Sequence, residues 1–214
     1  DKLLLSVGDV VAVESKPGYD VGVVSLIGEL VRLQMKKNKI DPSQKLTPKV
    51  IHKATEEDIN IWKEAQLLER ETLVKTRQMI REFNLSMKLS DVEYQADKTR
   101  ATFSYIAEQR IDFRQLIKIL ADRFRVRVEM RQIGSRQEAG RVGGIGSCGR
   151  ELCCSTWLTD FRTVSTSAAR YQQLSINPMK LAGQCGKLKC CLNYELDSYM
   201  DAVQHFPSSK IKLK

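Results

Sequence analysis

Short runs of β-branched and aliphatic residues alternate with turn residues over positions 6–35 of the chain. The runs are separated by Gly8-Asp9, Pro17-Gly18 and Gly28-Glu29, which are pairs typical of turns. This pattern predicts a small β-meander or barrel, and we assign residues 1–50 to this N-terminal β module. The basic, proline-containing segment at 36–49 is interpreted as a connection.

A stripe of mostly apolar residues at helical spacing follows between about Thr55 and Asn84. Its members recur every three or four residues: Ile61, Ala65, Leu68, Thr72, Thr76, Met79 and Phe83. Thr55 precedes three acidic residues, and such side chains satisfy the exposed N–H groups that begin a helix. The stripe predicts a long helix within residues 51–84. It would pack on the protein's own core or present a face to a partner helix.

The next segment has a β-β-α-β pattern. Alternating apolar residues predict two strands before residue 108 and a third over 125–131, and Asp112 is a good start for the intervening helix. Shorter helices are expected at 167–174, after Asn177-Pro178, and at 195–203. We assign residues 85–206 to a C-terminal α+β domain and residues 207–214 to a basic tail, so the predicted fold class is α+β.

All six cysteines lie in two copies of one motif, G-x-C-G-[RK]-x-x-C-C, offset by 37 residues. The first copy covers residues 146–154 and the second 183–191. The same offset relates Trp157 to Tyr194 and Asp160 to Asp197. Cysteines in such a register indicate that the two copies use their thiols together.

Thiolates are soft ligands that suit Zn²⁺ or an iron–sulfur cluster. Four of them complete a tetrahedral zinc site or a [4Fe–4S] cluster, and a site that joins the copies would use Cys148, Cys153, Cys185 and Cys190. Cys154 and Cys191 would then be structural or would ligate a group shared with a partner. Disulfides, inert or redox-active free thiols, and a purified protein that carries no group are the alternatives. The spacing does not decide between zinc and a cluster.

The chain is basic, with 35 Lys and Arg against 26 Asp and Glu and a net charge of +9. This balance suggests an anionic partner such as nucleic acid. No apolar run approaches the roughly 20 residues that cross a bilayer, so we expect no membrane association. We expect a cytoplasmic protein. Cysteines stay reduced in that compartment, so clusters of them indicate metal or redox chemistry more often than disulfides.

Arginines are concentrated just before and within the first cysteine motif. Seven of them lie between residues 123 and 150, against two acidic residues. Because the arginine fork matches phosphate geometry, we name as candidate nucleic-acid contacts Arg125, Arg127, Arg131, Arg136, Arg141, Arg150 and Lys187. A solvated charged face is the alternative interpretation.

The sequence offers little support for catalysis. His52 and His205 are the only histidines and lie far apart in the sequence. The glycine run at 144–149 fits G-x-G-x-x-G, but no hydrophobic strand leads into it, so a dinucleotide site is not indicated. We expect a protein that is not an enzyme. A cysteine-based oxidoreductase, which would need a thiol of low pKa, is the weaker alternative.

Three segments, 131–139, 143–158 and 174–195, resemble the bacterial YaaT/RicT family. The part that the members share is called the polymerase-suppressor-protein C-terminal domain. The likeness is dense over residues 85–199, and all six cysteines occupy positions of the family's motif.

The resemblance implies a non-enzymatic cytoplasmic regulator. Members of the family assemble with small helical partners, YlbF and YmcA, into a complex that is associated with iron–sulfur clusters and influences RNA processing through ribonuclease Y. Relatives of the domain bind RNA. We therefore expect an adaptor in RNA metabolism that binds RNA, the ribosome or an RNA-processing complex. The alternative is a protein–protein scaffold or a redox or iron sensor that binds no nucleic acid.

Overall fold

The computed structural model describes residues 3–41 and 48–207. Its contacts divide the chain into two compact units, Asp1–Gln132 and Ile133–Lys214. The fold is mixed α+β, as predicted, with two small sheets and several helices. Residues 42–47 of the predicted connection, and all but the first residue of the predicted basic tail, lie outside the described residues.

The first sheet contains β1 (Val10–Glu14), β2 (Tyr19–Val23) and β3 (Val50–Lys53) in the order β2-β1-β3. Both pairs are antiparallel. Within the described part of the chain these strands form an open three-stranded sheet, so the closed barrel that the sequence allowed does not form.

Helix α1 (Glu29–Lys37) lies between β2 and β3, where the sequence pattern predicted further strands. Its β-branched and aliphatic residues, Val31 and Leu33 among them, favoured a strand, but α1 buries none of its side chains. Periodicity alone does not separate a strand from a helix in an apolar run this short. Glu29 in the first turn and two lysines in the last complement the helix dipole.

Helix α2 (Glu56–Glu82) begins at Thr55, whose side chain accepts a hydrogen bond from the Asp58 backbone N–H. The Asp58 carboxylate accepts one from the Thr55 N–H in return, which completes a capping box. The buried residues of α2 are Ala65, Thr72, Thr76, Met79 and Ile80, and they face the core of the second sheet.

The second sheet contains β4 (Lys88–Tyr94), β5 (Arg100–Ile106) and β6 (Arg127–Gln132) in that order. Strands β4 and β5 are antiparallel, whereas β5 and β6 are parallel and are connected by α3 (Arg114–Phe124). The core of this unit is made by fully buried side chains of the sheet and α3: Leu89, Val92, Phe103, Leu116 and Leu120. The predicted third strand is correct except at its start, because Arg125 ends α3 in the left-handed conformation at φ 54°.

The turn between β1 and β2 packs against the turn between β4 and β5. The Gln95 side-chain amide donates to the Pro17 carbonyl at 2.7 Å, and the Ala96 N–H donates to the Asp20 carboxylate at 3.1 Å. A side chain at Gly18 would overlap Asp97. These contacts place the N-terminal sheet, α2 and the second sheet in one unit, whose end at Gln132 falls inside the predicted range 85–206.

The second unit is built from helices around a small core. Its elements are α4 (Ser135–Val142), α5 (Thr166–Tyr171), α6 (Pro178–Leu181), α7 (Cys191–Tyr194) and α8 (Leu196–Gln204). The core residues are Ala168, Ala169, Leu181 and Leu192. The predicted helix start at Asn177-Pro178 is confirmed, because the Asn177 side chain accepts from the Met179 N–H at 3.0 Å. Among residues 3–41 and 48–207, no helix is both long and apolar enough to cross a membrane.

Candidate functional site

The two cysteine motifs fold into turns with the same backbone hydrogen bonds. In the first, the Gly146 N–H donates to the Arg150 carbonyl at 2.8 Å and the Gly149 N–H to the Gly146 carbonyl at 3.0 Å. In the second, Gly183 donates to Lys187 at 2.8 Å and Gly186 to Gly183 at 3.0 Å. An isolated antiparallel bridge closes each turn, Ile145 to Glu151 and Ala182 to Leu188. The sequence repeat is therefore also a repeat of local structure.

One position in each turn requires glycine. Gly149 has φ 78° and Gly186 has φ 70°, in the left-handed region that other residues adopt at a cost. These glycines follow Cys148 and Cys185, so they fix the path of the chain directly after the first thiol of each copy.

All six thiols line a single cavity of about 460 Å³ in the second unit. They come from both turns and from the two Cys-Cys pairs that follow them. Cys148 is exposed, the other five are partly buried, and none of the six forms a disulfide. The structure thus brings together every cysteine that the sequence analysis named as a candidate ligand.

The cysteines influence one another electrostatically. Burial raises the pKa of Cys153 and Cys154, and nearby Cys190 raises both further. Burial also raises the pKa of Cys191, with Glu195 and Cys190 adding to the effect. These thiols hold their protons at neutral pH, and a cation bound in the cavity would replace those protons and release them.

The cysteines that line the cavity suit a thiolate-ligated group by their chemistry, but their side chains are not arranged as a ligand shell in this structure. In the described residues, no three His, Cys, Asp or Glu side chains are arranged so that they could hold a metal ion. Six soft donors in one cavity fit zinc or an iron–sulfur cluster by ligand type. Ligation would require the thiols to adopt a closer arrangement, and the predicted ligand set stays a prediction.

Two aromatic residues at equivalent positions of the repeat contact each other. The ring centroids of Trp157 and Tyr194 are 4.6 Å apart, with an interplanar angle of 58°. The two copies of the repeat therefore contact each other through these rings and also line one cavity with their cysteines.

The predicted nucleic-acid contacts divide between the two units. Arg127 and Arg131 are exposed on β6, two strand positions on either side of Glu129, which pairs with Arg100 at 3.5 Å. Arg125 forms an ion pair with Asp122 at 3.5 Å. The others, Arg136, Arg141, Arg150 and Lys187, belong to the second unit.

Within the second unit the basic residues occupy different surroundings. Arg150 and Lys187 are exposed at equivalent places in the two turns. Arg141 is exposed in the last turn of α4. Arg136 instead lines the cysteine cavity and donates hydrogen bonds to backbone carbonyls of the same unit.

Helix α4 is the part of the site that sequence reasoning missed. It contributes Arg136 and Ala139 to the cavity wall, and Gly140 lies so close to the Cys154 carbonyl that a Cβ would stand 2.7 Å from its oxygen. An isolated glycine within a helical segment is a signal for close packing, and it could have pointed to this contact. The Gln137 side chain, which accepts from the Gly134 N–H at 2.9 Å, could have indicated where α4 begins.

Comparison with known proteins identifies the family. Residues 48–133 match the PSP1 C-terminal conserved region, and residues 163–206 match the third domain of PSP1-like proteins. The chain is 41% identical over 199 residues to stage 0 sporulation protein YaaT of Bacillus subtilis, which covers 92% of this chain and 69% of that protein.

A second relative is an uncharacterized protein of Schizosaccharomyces pombe. It is 32% identical over 149 residues, which is 60% of this chain and 20% of that protein. No solved structure matches the chain. The two PSP1 matches and the identity to YaaT confirm the resemblance found in the sequence. The chain belongs to the YaaT/RicT family of proteins that carry the PSP1 C-terminal conserved region.

Proposed function

We propose that this protein is a cytoplasmic regulatory adaptor in RNA metabolism that carries a thiolate-ligated metal ion or iron–sulfur cluster. The observation that carries the proposal is the cavity of the second unit, which all six cysteines line. Buried thiols scattered for packing alone would not share one cavity at equivalent positions of two matching turns. The family relationship to a sporulation protein supports a regulatory role.

In this proposal Cys148, Cys153, Cys185 and Cys190 are the primary ligands. They supply two thiolates from each copy, and the total of four is the number that a tetrahedral zinc site or a [4Fe–4S] cluster takes. Cys154 and Cys191 line the same cavity. In this proposal they are secondary ligands, which would bind in a rearranged site or bind a group shared with a partner. A bound group would cross-link the two copies, so its presence or oxidation state could control the shape of the second unit.

The RNA part of the proposal rests on the basic residues. Arg127 and Arg131 occupy the same exposed face of β6. The chain as a whole has a net charge of +9, and arginine side chains on one strand face are suited to adjacent phosphates.

A non-catalytic role agrees with where the histidine of the first unit lies. The His52 ring is hydrogen-bonded to the Asp58 carboxylate at 3.0 Å, at the start of α2. This contact belongs to the capping of a helix in the first unit, whereas the cysteines lie in the second. His52 therefore has a structural partner that accounts for its position without a catalytic role.

A second candidate function is a protein–protein scaffold or an iron or redox sensor that binds no RNA. The observation that favours it is the apolar face of α8, where Tyr199, Met200 and Val203 are exposed at helical spacing and Phe206 follows with 72% of its surface exposed. Such a face suits an amphipathic helix of another protein. Small helical partner proteins are proposed as its occupants under both candidates, and RNA-processing machinery or the ribosome only under the first.

Binding of single-stranded RNA, measured by fluorescence anisotropy over a range of salt concentrations, separates the two candidates. The adaptor should bind with an affinity that falls with salt. The logarithm of the binding constant should fall by about 0.7 per tenfold rise in salt concentration for each phosphate contact. Arg127→Ala with Arg131→Ala should weaken binding and reduce that slope. The matched control, Arg32→Ala with Arg114→Ala, removes the same charge from exposed positions of the first unit and should have little effect. Absent or salt-independent binding would exclude the first candidate in favour of the second.

A further inference from the structure

Arg136 lines the cysteine cavity and donates hydrogen bonds to two separate parts of the chain around it. Its Nη2 donates to the Leu188 carbonyl at 3.0 Å, within the second turn. Its Nη1 donates to the Arg162 carbonyl at 3.2 Å, in the segment between the copies. Both contacts are to backbone atoms, so they depend on how the chain folds and not on the side chains of those residues.

The same helix contacts the first copy one turn further on. Gly140 lies four residues after Arg136, on the same face of α4, and packs against the backbone of Cys154. Helix α4 thus holds the first copy through a close backbone approach and the second copy through the guanidinium of Arg136. Both copies line the cavity, so α4 contacts the two parts of the chain that carry its thiols.

The third nitrogen of Arg136 has no partner among the described residues. Nε is buried, and no hydrogen-bond acceptor is within reach of it. A buried donor left unsatisfied costs about 1–3 kcal/mol, more when it is charged. The wall of a cavity lined by six cysteines is where such a donor would find a sulfur acceptor when a ligated group is present.

The charge of Arg136 also acts on the cysteines. Burial and the neighbouring Cys190 raise the pKa of Cys154, while the positive charge of Arg136 opposes that rise. A guanidinium keeps its charge throughout the range in which proteins fold, so it favours negative charge in the cavity under all working conditions. Lys189 and Glu151 also lie on the wall, and the positive charge of Lys189 opposes the rise in the pKa of Cys191 that burial causes.

We propose that Arg136 is the positioning residue of the cysteine cavity: it ties α4 to the second copy through Nη2 and to the segment between the copies through Nη1, and its Nε–H and positive charge stabilise the anionic thiolate-ligated group that binds there. This role rests on the proposed function. It differs from the phosphate contact that the sequence pattern suggested for Arg136, because two of its three nitrogens are already bonded within the unit.

The test uses Arg136→Met, which removes the charge and the donors, and Arg136→Lys, which keeps the charge but lacks the planar guanidinium and its Nε–H. The matched control is Arg170→Met, an exposed arginine in the last turn of α5. Zn²⁺ is the first probe, and its affinity is measured by competition with a chromophoric chelator. Urea unfolding of the metal-free proteins measures the structural part separately. For protein reconstituted with iron and sulfide, the reduction potential is the second readout.

Arg136→Met should lower the Zn²⁺ affinity about 10–100-fold, the range found when groups that support metal ligands are removed. The reduction potential of a bound cluster should become more negative, because the lost charge and donor stabilised the more negative reduced state. Arg136→Lys should recover part of the potential but less of the affinity, and Arg170→Met should match the unchanged protein in both.

Each of the other outcomes overturns the proposal in a distinguishable way. If Arg136→Met is less stable without metal but keeps its Zn²⁺ affinity and potential, Arg136 is only a structural residue. If all the variants behave alike, Arg136 has no role in the cavity. If the unchanged protein takes up neither Zn²⁺ nor iron and sulfide, the proposed metal-carrying function fails, and the role of Arg136 fails with it.

Discussion

Trp157 and Tyr194 contact each other with ring centroids 4.6 Å apart, and they occupy equivalent positions of the cysteine repeat. The offset between them is the same 37 residues that separates Cys148 from Cys185. A contact between equivalent residues means that the duplicated unit pairs with itself inside one chain. Several expectations about the thiols and the stability of the second unit depend on this pairing.

The aromatic contact should stabilise the second unit through a direct coupling of the two rings. In a double-mutant cycle of Trp157→Ala and Tyr194→Ala, the coupling free energy should be about 0.5 kcal/mol, the lower end for aromatic pairs, because both rings are largely exposed. The free energy of urea unfolding is the measurement. The Tyr105–Phe113 pair of the first unit, with its centroids 5.7 Å apart, provides the reference cycle. Strictly additive effects at Trp157 and Tyr194 would show that the copies do not pair through these rings.

Equivalent cysteines should be equally important for metal content. Cys148→Ser and Cys185→Ser each remove the first thiol of one copy, so we expect equal and large losses of bound metal per chain. Cys154→Ser and Cys191→Ser should lose less bound metal, because these thiols are not among the four primary ligands. Metal analysis of the four variants, purified in the same way, is the measurement. A large loss in one copy with none in the other would contradict a site that joins the copies.

Packing of α4 against the first copy predicts that Gly140→Ala destabilises the second unit. The added Cβ would stand 2.7 Å from the Cys154 carbonyl oxygen, which is closer than such atoms normally approach. We expect a loss of about 1–3 kcal/mol in the free energy of unfolding, as for other overpacked positions. Gly134→Ala is the control, because its Cβ would meet only the Gln137 side chain, at 3.7 Å. Equal stability of the two variants would show that α4 and Cys154 are not in close contact.

The start of α2 predicts a pH dependence in the first unit. The Thr55 backbone N–H and the His52 ring lower the pKa of Asp58 from 3.8 to about 2. A carboxylate whose pKa is lower in the folded state contributes stability above its unfolded pKa and loses that contribution as the pH falls through its folded pKa. Asp58→Asn should therefore be less stable than the unchanged protein at neutral pH.

That difference should shrink as the pH falls from about 4 towards about 2, where Asp58 itself becomes protonated. Thr55→Ala provides the comparison. It should cost about 1 kcal/mol through loss of the cap but leave the Asp58 carboxylate in place. Denaturation curves at several pH values check both statements. A stability difference for Asp58→Asn that grows in acid would contradict the lowered pKa.

The sequence correctly predicted those elements in which a local signal, such as a capping residue, coincides with a pattern of buried side chains or a fixed backbone angle. Helix α2 has both a capping residue at Thr55 and a buried stripe that includes Ala65 and Met79, and Asn177-Pro178 combines a side-chain cap with a fixed proline φ. Helix α1 has nine residues and buries none of them, and its short run of β-branched and aliphatic residues favoured a strand instead. An open sheet and a barrel have the same alternation within each strand, which is why the sequence did not separate them.

The sequence identified the cysteines of the candidate site but not helix α4, which forms part of the cavity wall. The duplicated motif identified all six cysteines and the equivalence of the two turns. It did not indicate that α4 braces them, because the partners of Arg136 are the carbonyls of Arg162 and Leu188, and a backbone acceptor leaves no mark in the sequence. Gly140 does leave a signal, as an isolated glycine within a helical segment, but its partner, the Cys154 carbonyl, leaves none. Charge alone grouped Arg136 with the exposed arginines, and only the fold separates it from them.

The central claim, that the cysteine cavity holds a thiolate-ligated group, is tested most directly by anaerobic purification followed by iron, sulfide and zinc analysis. The account predicts stoichiometric zinc, or iron and sulfide in the ratio of a cluster, in the unchanged protein. It also predicts the loss of that metal when Cys153 and Cys190 are both replaced by serine. A folded protein whose six thiols all react with an alkylating reagent, and which carries no metal and takes none up on reconstitution, would contradict it.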